Sequence, residues 1–208
     1  MTDRKPDLDA ALTLTSPGDS LRLYRDWAAT YDTSFAEPMG YRLPALVAAA
    51  FAAAGGTGPV VDVGAGTGLV AECLARTGIS PVDGVDISPD MLAVAAAKGL
   101  YRQTIVADLC QVLPVPAASY CGITSSGTFT HGHVGPQVFD ELLRVAASGA
   151  LFALSINHGV YQSHGFAAKL AELAPEITGL QIDEVPIYAT PDETHQNQRA
   201  LIVIFRKR

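Results

Sequence analysis

Residues 59–74, PVVDVGAGTGLVAECL, constrain the fold more than any other stretch of the chain. Pro59 to Val63 is short, apolar and rich in β-branched side chains, as a strand buried on both faces should be. Gly64, Ala65, Gly66, Thr67 and Gly68 make a turn, and Leu69 to Ala75 is helical in pattern. A glycine turn feeding a helix N-terminus lets the backbone approach a ligand closely and aims free N–H groups at it. Asp62, just before the first glycine, puts a carboxylate beside a site that would otherwise suit a phosphate.

The rest of the chain repeats the alternation. Further strands are expected over residues 81–86, 102–107, 120–125, 149–156, 180–188 and 200–206. Asp19 or Ser20 is placed to cap a helix from Leu21 towards Ala29, with Tyr24, Trp27 and Tyr31 on one face. That aromatic stripe suits core packing or a lid over a ligand mouth, and the two can coexist. Tyr41 to Ala54 reads as a second helix, closed by Gly55-Gly56. Ser88 caps another, with Pro89 at its first position, and residues 137–147 and 163–173 supply two more. Strands alternating with helices mean a parallel sheet covered on both faces. The expected fold is therefore α/β: a Rossmann-like, seven-stranded, mostly parallel sheet with helices on both faces and a C-terminal antiparallel hairpin. Residues 1–18 read as a flexible start, 19–56 as a helical extension or lid, and 57–208 as the main domain.

Composition bounds the function. A chain of 208 residues, 49% hydrophobic and 17% charged, can bury a sizeable core as one domain with an extension. The net charge of −7 argues against a nucleic-acid backbone as main partner, because phosphate binding relies on clustered Lys and Arg. Cys73, Cys110 and Cys121 show no metal spacing and read as small buried residues of a reducing compartment. No metal site is expected. No signal-like run opens the chain and the apolar run 46–54 is too short to span a bilayer. The expectation is a cytoplasmic protein with no membrane partner and an oligomeric state the sequence leaves open.

In open sheets of this kind ligands bind outside the carboxyl ends of the strands. Asp62–Gly68, Asp86, Asp108 and the segment 125–133 all fall at such ends. A dinucleotide turn needs a third glycine where this chain has Leu69, and Asp62 would repel a pyrophosphate. The same carboxylate would stabilise an amino-acid ammonium, directly or through water. Asp86 follows Gly64 by 22 residues and suits a ribose, and Asp108 can accept a hydrogen bond from an adenine amino group. A ligand with adenosine at one end and an amino acid at the other is S-adenosylmethionine.

With VVDVGAGTG (60–68), VDGVDISPDML (82–92), VADL (106–109) and the closing strand pair, the chain resembles the class I S-adenosylmethionine-dependent methyltransferases over residues 20–208. YRDWAATYD and GTFTHGHVGPQVFDELLRV look like a narrower subgroup, the Williams–Beuren-region methyltransferase-like proteins. The resemblance implies that Gly64, Ala65, Gly66 and Gly68 border the methionine portion. It implies that Asp86 binds the ribose hydroxyls, with Ile87 and Met91 near the adenine, and that Asp108 and Leu109 hold the adenine. Ser125 would lie near the sulfonium and Tyr31 would close the methionine end. Many family members carry an acid inside strand four, where this chain has Tyr120-Cys121, and no Asn-Pro-Pro-Tyr or Asp-Pro-Pro-Tyr follows. The latter departure counts against the base- and glutamine-modifying branch.

Methyl transfer from a sulfonium is an in-line displacement, and alignment with exclusion of water supplies much of the acceleration. A base is needed only where the acceptor must lose a proton early. His131 and His133, after strand four, are the candidate catalytic residues, with His158 and His164 on the same expected rim. A small-molecule acceptor is the leading expectation. A protein acceptor and a non-catalytic, regulatory S-adenosylmethionine-binding protein are the alternatives.

Overall fold

The computed structural model describes residues 17–132, 134–190 and 195–208. The chain order is α1 (Pro17–Trp27), a π-helical turn (Asp32–Ala36), α2 (Leu43–Ala53), β1 (Val60–Val63), α3 (Leu69–Arg76), β2 (Val82–Asp86), α4 (Pro89–Ala97) and β3 (Thr104–Val106). There follow β4 (Tyr120–Phe129), α5 (Val138–Val145), β5 (Ala146–Asn157), α6 (His158–Tyr161), α7 (Phe166–Glu172), β6 (Ile177–Pro186) and β7 (Arg199–Lys207). The strands form one seven-stranded sheet in the order β3-β2-β1-β4-β5-β7-β6. β1 pairs in parallel with β2 and β4, and the parallel pairing continues to β3 and β5. β7 runs antiparallel to both β5 and β6. The strand order reverses between β1 and β4, so the turn after β1 opens at the crevice where such sheets bind ligands.

Period-two alternation splits the core into two layers. Val60, Leu151 and Ile202 point to one face, with Val47, Phe51 and Leu74 from α2 and α3 packed on them. Val61, Phe152 and Val203, one residue along, point to the other, against Leu142 of α5 and Phe166 of α7. Phe51 explains a glycine inside a strand: a Cβ on Gly122 would fall 2.3 Å from its ring.

Asp83 is fully buried in β2, and the sequence gives no sign of its role. Arg102 donates to it from Nε at 2.9 Å and Nη2 at 2.6 Å, Gln103 from Nε2 at 2.9 Å and Tyr120 from its hydroxyl at 2.8 Å. Burial alone would raise its pKa, but these donors prevail and hold the carboxyl below the usual range.

Several expectations are corrected. Pro17 and Gly18, assigned to the flexible start, are already helical, while residues 1–16 lie outside the described set. α1 stops at Trp27, and the π-helical turn follows where a continuous aromatic stripe was expected. β4 continues through Phe129 with an irregular register after Ser125, so residues 126–129 of the expected loop 126–136 are strand. Ala146 and Ala147 open β5 rather than closing a helix. Cys110 and Cys121 are exposed and Cys73 is half-buried, so the three are not core residues. Among the described residues no helix is long and apolar enough to cross a membrane.

Candidate functional site

The turn after β1 is built on backbone that only glycine tolerates. Gly64 has φ 67° and Gly66 φ 53°. A Cβ on Gly64 would also lie 1.9 Å from Thr128 Oγ1, whereas one on Gly66 would meet nothing within 4 Å. Gly66 is thus the open side, where a ligand approaches. Three of the turn's N–H groups are already used: Ala65 donates to Val85 O at 3.0 Å, Gly66 to Asp86 Oδ2 at 2.8 Å and Gly68 to Ala65 O at 2.9 Å. The expectation that these donors are free for a ligand is corrected, and the turn is a surface of close approach more than an anion nest.

The turn opens onto a cleft of about 1040 Å³, measured out to its mouth. Gly64, Ala65 and Gly66 line one part, Asp86, Ile87 and Met91 a second, and Asp108, Leu109 and Cys110 a third. Asp86 ends β2. Besides Gly66, it accepts from Ser88 N at Oδ1, 2.8 Å. Burial raises its carboxyl pKa, and the N–H groups of Ser88, Gly66 and Ile87 pull it partly back. Asp108 is held by Cys110 N, which donates to Oδ1 at 2.8 Å. Ser88 caps α4 as expected, accepting from Met91 N at 3.3 Å. A glycine turn beside two anchored carboxylates fits an adenosine carrying an amino-acid tail.

Three residues assigned to this site lie behind its wall. Ser125 is fully buried and donates to Val63 O at 2.8 Å; its neighbour Ser126 lines the cleft instead, because alternation reverses the side chain. Gly68 faces inward, and a Cβ there would sit 3.3 Å from Ala95 and Tyr101. Asp62 is fully buried, taking the Tyr101 hydroxyl at 2.7 Å and Thr124 Oγ1 at 3.1 Å, so it makes no direct contact with a ligand in the cleft. Desolvation, with Asp86 nearby, pushes its carboxyl up to about 7 against the two hydroxyl donors.

That raised value sets a pH dependence. The folded state holds the Asp62 proton more tightly than the unfolded chain does. The resulting stability is present below the usual carboxylate range and is lost as pH rises through about 7. Asp62→Asn is expected to flatten this loss, which approaches about 1.4 kcal/mol per pH unit inside the window. Urea unfolding at several pH values between the usual carboxylate range and neutrality measures it.

The N-terminal segment walls the cleft. Tyr24, Tyr31 and Tyr41 line it, while Trp27 is buried behind them, 5.0 Å from Tyr31 between ring centroids. The aromatic stripe is core and wall together. The π-helical turn is pinned across the glycine turn. Asp32 accepts from Thr67 Oγ1 at 2.6 Å and from Lys98 Nζ at 2.7 Å, and Lys98 also reaches Glu72 at 2.5 Å. This latch spans residues distant in sequence and carries no local signal. Lys98→Met is expected to speed release of a bound ligand on the order of tenfold, with little change in association, by stopped-flow displacement.

The histidines fall elsewhere. His131 is half-buried and packs edge-on to His164 at 6.0 Å, outside the lining of the cleft. It is therefore not brought to the ligand as expected. His133 lies outside the described residues. His164 bonds to Ser163 Oγ through Nδ1 at 3.0 Å, and His158 is exposed, 3.9 Å from Glu184. Residues the sequence reading did not assign, among them Tyr41, Ser126 and Thr128, line the cleft. Tyr41 and Ser126 also hydrogen-bond, 3.3 Å apart.

Comparison with known proteins agrees with this geometry. Residues 61–154 match the methyltransferase-domain family. Human methyltransferase-like protein 27 is 34% identical over 151 residues, 70% of this chain and 61% of that protein, so the chain spans about three fifths of that relative. A candidate S-adenosyl-L-methionine-dependent methyltransferase of Methanococcus maripaludis superposes with TM-score 0.63 at 16% identity, over 89% of this chain and 92% of the other. An S-adenosylmethionine-dependent methyltransferase of Thermotoga maritima gives TM-score 0.63 at 14% identity, over 90% and 98%. At those identities the two structures show the shared fold alone. Residues 61–154 thus match a methyltransferase domain, and the fold is similar to that of S-adenosylmethionine-dependent methyltransferases. The matched domain and the shared fold imply S-adenosylmethionine as cofactor.

Proposed function

We propose that the chain is an S-adenosylmethionine-dependent methyltransferase acting on a small molecule by in-line displacement. The observation that carries the reading is a pair of adjacent chambers. The cleft holding the glycine turn, Asp86 and Asp108 shares Tyr24, Tyr31, Tyr41 and Gly127 with a second chamber of about 600 Å³. Asp86 orients a ribose, Asp108 an adenine edge, and Gly66 lets the amino-acid tail lie against backbone. S-adenosylmethionine, when bound, supplies an electrophilic methyl group on a sulfonium already set to leave. Asp62 acts from beneath, by fixing β1 through Tyr101 and Thr124 and by setting the potential under the turn. The three tyrosines at the shared wall exclude water from the transfer path. Membership of the Williams–Beuren-region subgroup is part of the proposal, supported by the YRDWAATYD segment that builds this wall. A partner other than nucleic acid is proposed from the net charge of −7, and a cytoplasmic site of action from three cysteines that suit a reducing compartment.

Incubating the protein with methyl-labelled S-adenosylmethionine and a cell extract, followed by size separation, tests it. Label is expected in the small-molecule fraction. Label in polypeptide would establish the protein-acceptor alternative, and cofactor binding with no transfer would establish the regulatory one.

A further inference from the structure

We infer that the second chamber is an aromatic cage for the neutral, weakly basic nitrogen of a flat acceptor, an aryl or heteroaryl amine that becomes a cation on methylation. The inference rests on the methyltransferase reading and adds the class of acceptor. The chamber's walls are rings in close succession. Trp27 and Tyr31 lie 5.0 Å apart between centroids, Tyr31 and Phe35 5.1 Å, Phe35 and Tyr41 5.6 Å, and Tyr41 and Tyr188 6.0 Å. All five line the chamber. Its polar lining is neutral: Thr130, Ser155, Asn157 and Gln198. Ser155 Oγ already accepts from Gly127 N at 3.0 Å, and Asn157 Oδ1 from Gly159 N at 2.9 Å.

Among the described residues that line it there is no carboxylate, imidazole, ammonium, guanidinium or thiol. The phenols do not serve as bases either. Burial pushes the Tyr41 phenol up to about 12 and raises those of Tyr24 and Tyr31 as well.

Elimination then works on acceptor chemistry. A neutral hydroxyl, or a carbon acid, needs a base to take its proton, and the described lining residues offer none. An anionic oxygen or sulfur would lie among aromatic rings with no cation among the described lining residues to balance it. A strongly basic aliphatic amine arrives protonated, with its lone pair occupied and no carboxylate to receive it. A weakly basic nitrogen meets none of these obstacles. Its lone pair forms the new N–C bond as the C–S bond breaks, with that bond's electron pair going to sulfur. The positive charge passes from sulfur to nitrogen. Where the nitrogen carried a hydrogen, the proton leaves afterwards to water. The ring faces stabilise the charge as it arrives, an interaction worth most where it is desolvated.

Calorimetry on the full chain tests this by binding, in the presence of S-adenosylhomocysteine. Three probes of similar shape are compared: N-methylpyridinium, neutral toluene and anionic benzoate. N-methylpyridinium is expected to bind about tenfold more tightly than toluene, and benzoate more weakly than both. Tyr31→Leu should erase the preference for the cation, and Tyr31→Phe should keep it. Trp27, the chain's single tryptophan, sits in the chamber wall, so its emission should shift on binding. Toluene or benzoate binding as tightly as the cation, a preference that survives Tyr31→Leu, an unmoved Trp27 emission, or no measurable cation binding would each overturn the cage. The S-adenosylhomocysteine titration is a separate arm. If it shows no binding by a folded protein, the methyltransferase reading falls. If it shows binding and the cation preference is absent, only the cage falls.

Discussion

Asp86→Ala is expected to weaken S-adenosylmethionine binding by about a hundredfold to ten-thousandfold. The reasoning is local. Asp86 is the carboxylate that ends β2 inside the cleft, and its two oxygens already draw in Gly66 N and Ser88 N at 2.8 Å each. On the proposed reading it also accepts both ribose hydroxyls. A hydrogen bond to a charged group contributes about 1.5–3 kcal/mol, and two of them account for the range. Removing the side chain also frees the Gly66 N–H and loosens a turn whose φ of 53° must be held by its neighbours. Asp86→Asn should fall between, because the amide keeps one acceptor oxygen and offers N–H groups where the ligand has donors. Calorimetric titration gives both constants. Thermal unfolding of the free proteins separates loss of affinity from loss of fold, and the expected change there is small beside the change in Kd.

The largest effect on stability is expected at Asp83. Four donated hydrogen bonds from Arg102, Gln103 and Tyr120 converge on a carboxylate with no exposure. Asp83→Ala leaves the Tyr120 hydroxyl buried without this acceptor and removes the partner of the half-exposed Arg102 guanidinium. Breaking a buried pair from one side costs about 3–5 kcal/mol, and the exposure of Arg102 puts the expected loss at the lower end. The pH dependence has the opposite sense to that of Asp62. The Asp83 carboxyl is held below its ordinary range, so its contribution is full above the usual carboxylate pKa and is lost as pH falls through the folded-state value. Wild-type protein should therefore lose stability on acidification more steeply than Asp83→Ala. Urea midpoints for the two proteins, measured at neutral pH and below the usual carboxylate range, test both statements.

The parts of the molecule that were legible in the sequence are those written in short, local patterns. The strand–turn–helix of residues 59–76 is legible because β-branched residues, positive-φ glycines and a helical pattern adjoin one another. Asp86 and Asp108 were placed at the right edge because a strand end can be read from a hydrophobic run. What could not be read is what side chains do across the sheet. Asp62 and Asp86 both lie near the carboxyl ends of neighbouring strands, yet one is sealed under the glycine turn by Tyr101 and the other lines the cleft. Ser125 and Ser126 differ by one residue and by opposite faces of β4, and the irregular register after Ser125 decides which faces the ligand. His131 looked available because its loop seemed long; four residues of that loop are strand, and the remainder turns the imidazole towards His164. The Asp32–Lys98–Glu72 latch and the Asp83 cluster join residues from separate elements, and no periodicity reports such pairings.

The glycine turn therefore has two sides. Gly68 faces the protein, close to Ala95 and Tyr101, whereas Gly64 and Gly66 line the cleft, Gly64 hard against Thr128 and Gly66 open. On the proposed reading this cleft takes an adenosine with an amino-acid tail, not a dinucleotide. Parallel calorimetric titrations of the folded protein with S-adenosylmethionine and with NAD test it most directly. One-to-one binding of S-adenosylmethionine that Asp86→Ala weakens by about a hundredfold or more, with no heat from NAD, is the predicted result. Binding of NAD, or no binding of S-adenosylmethionine, would contradict it.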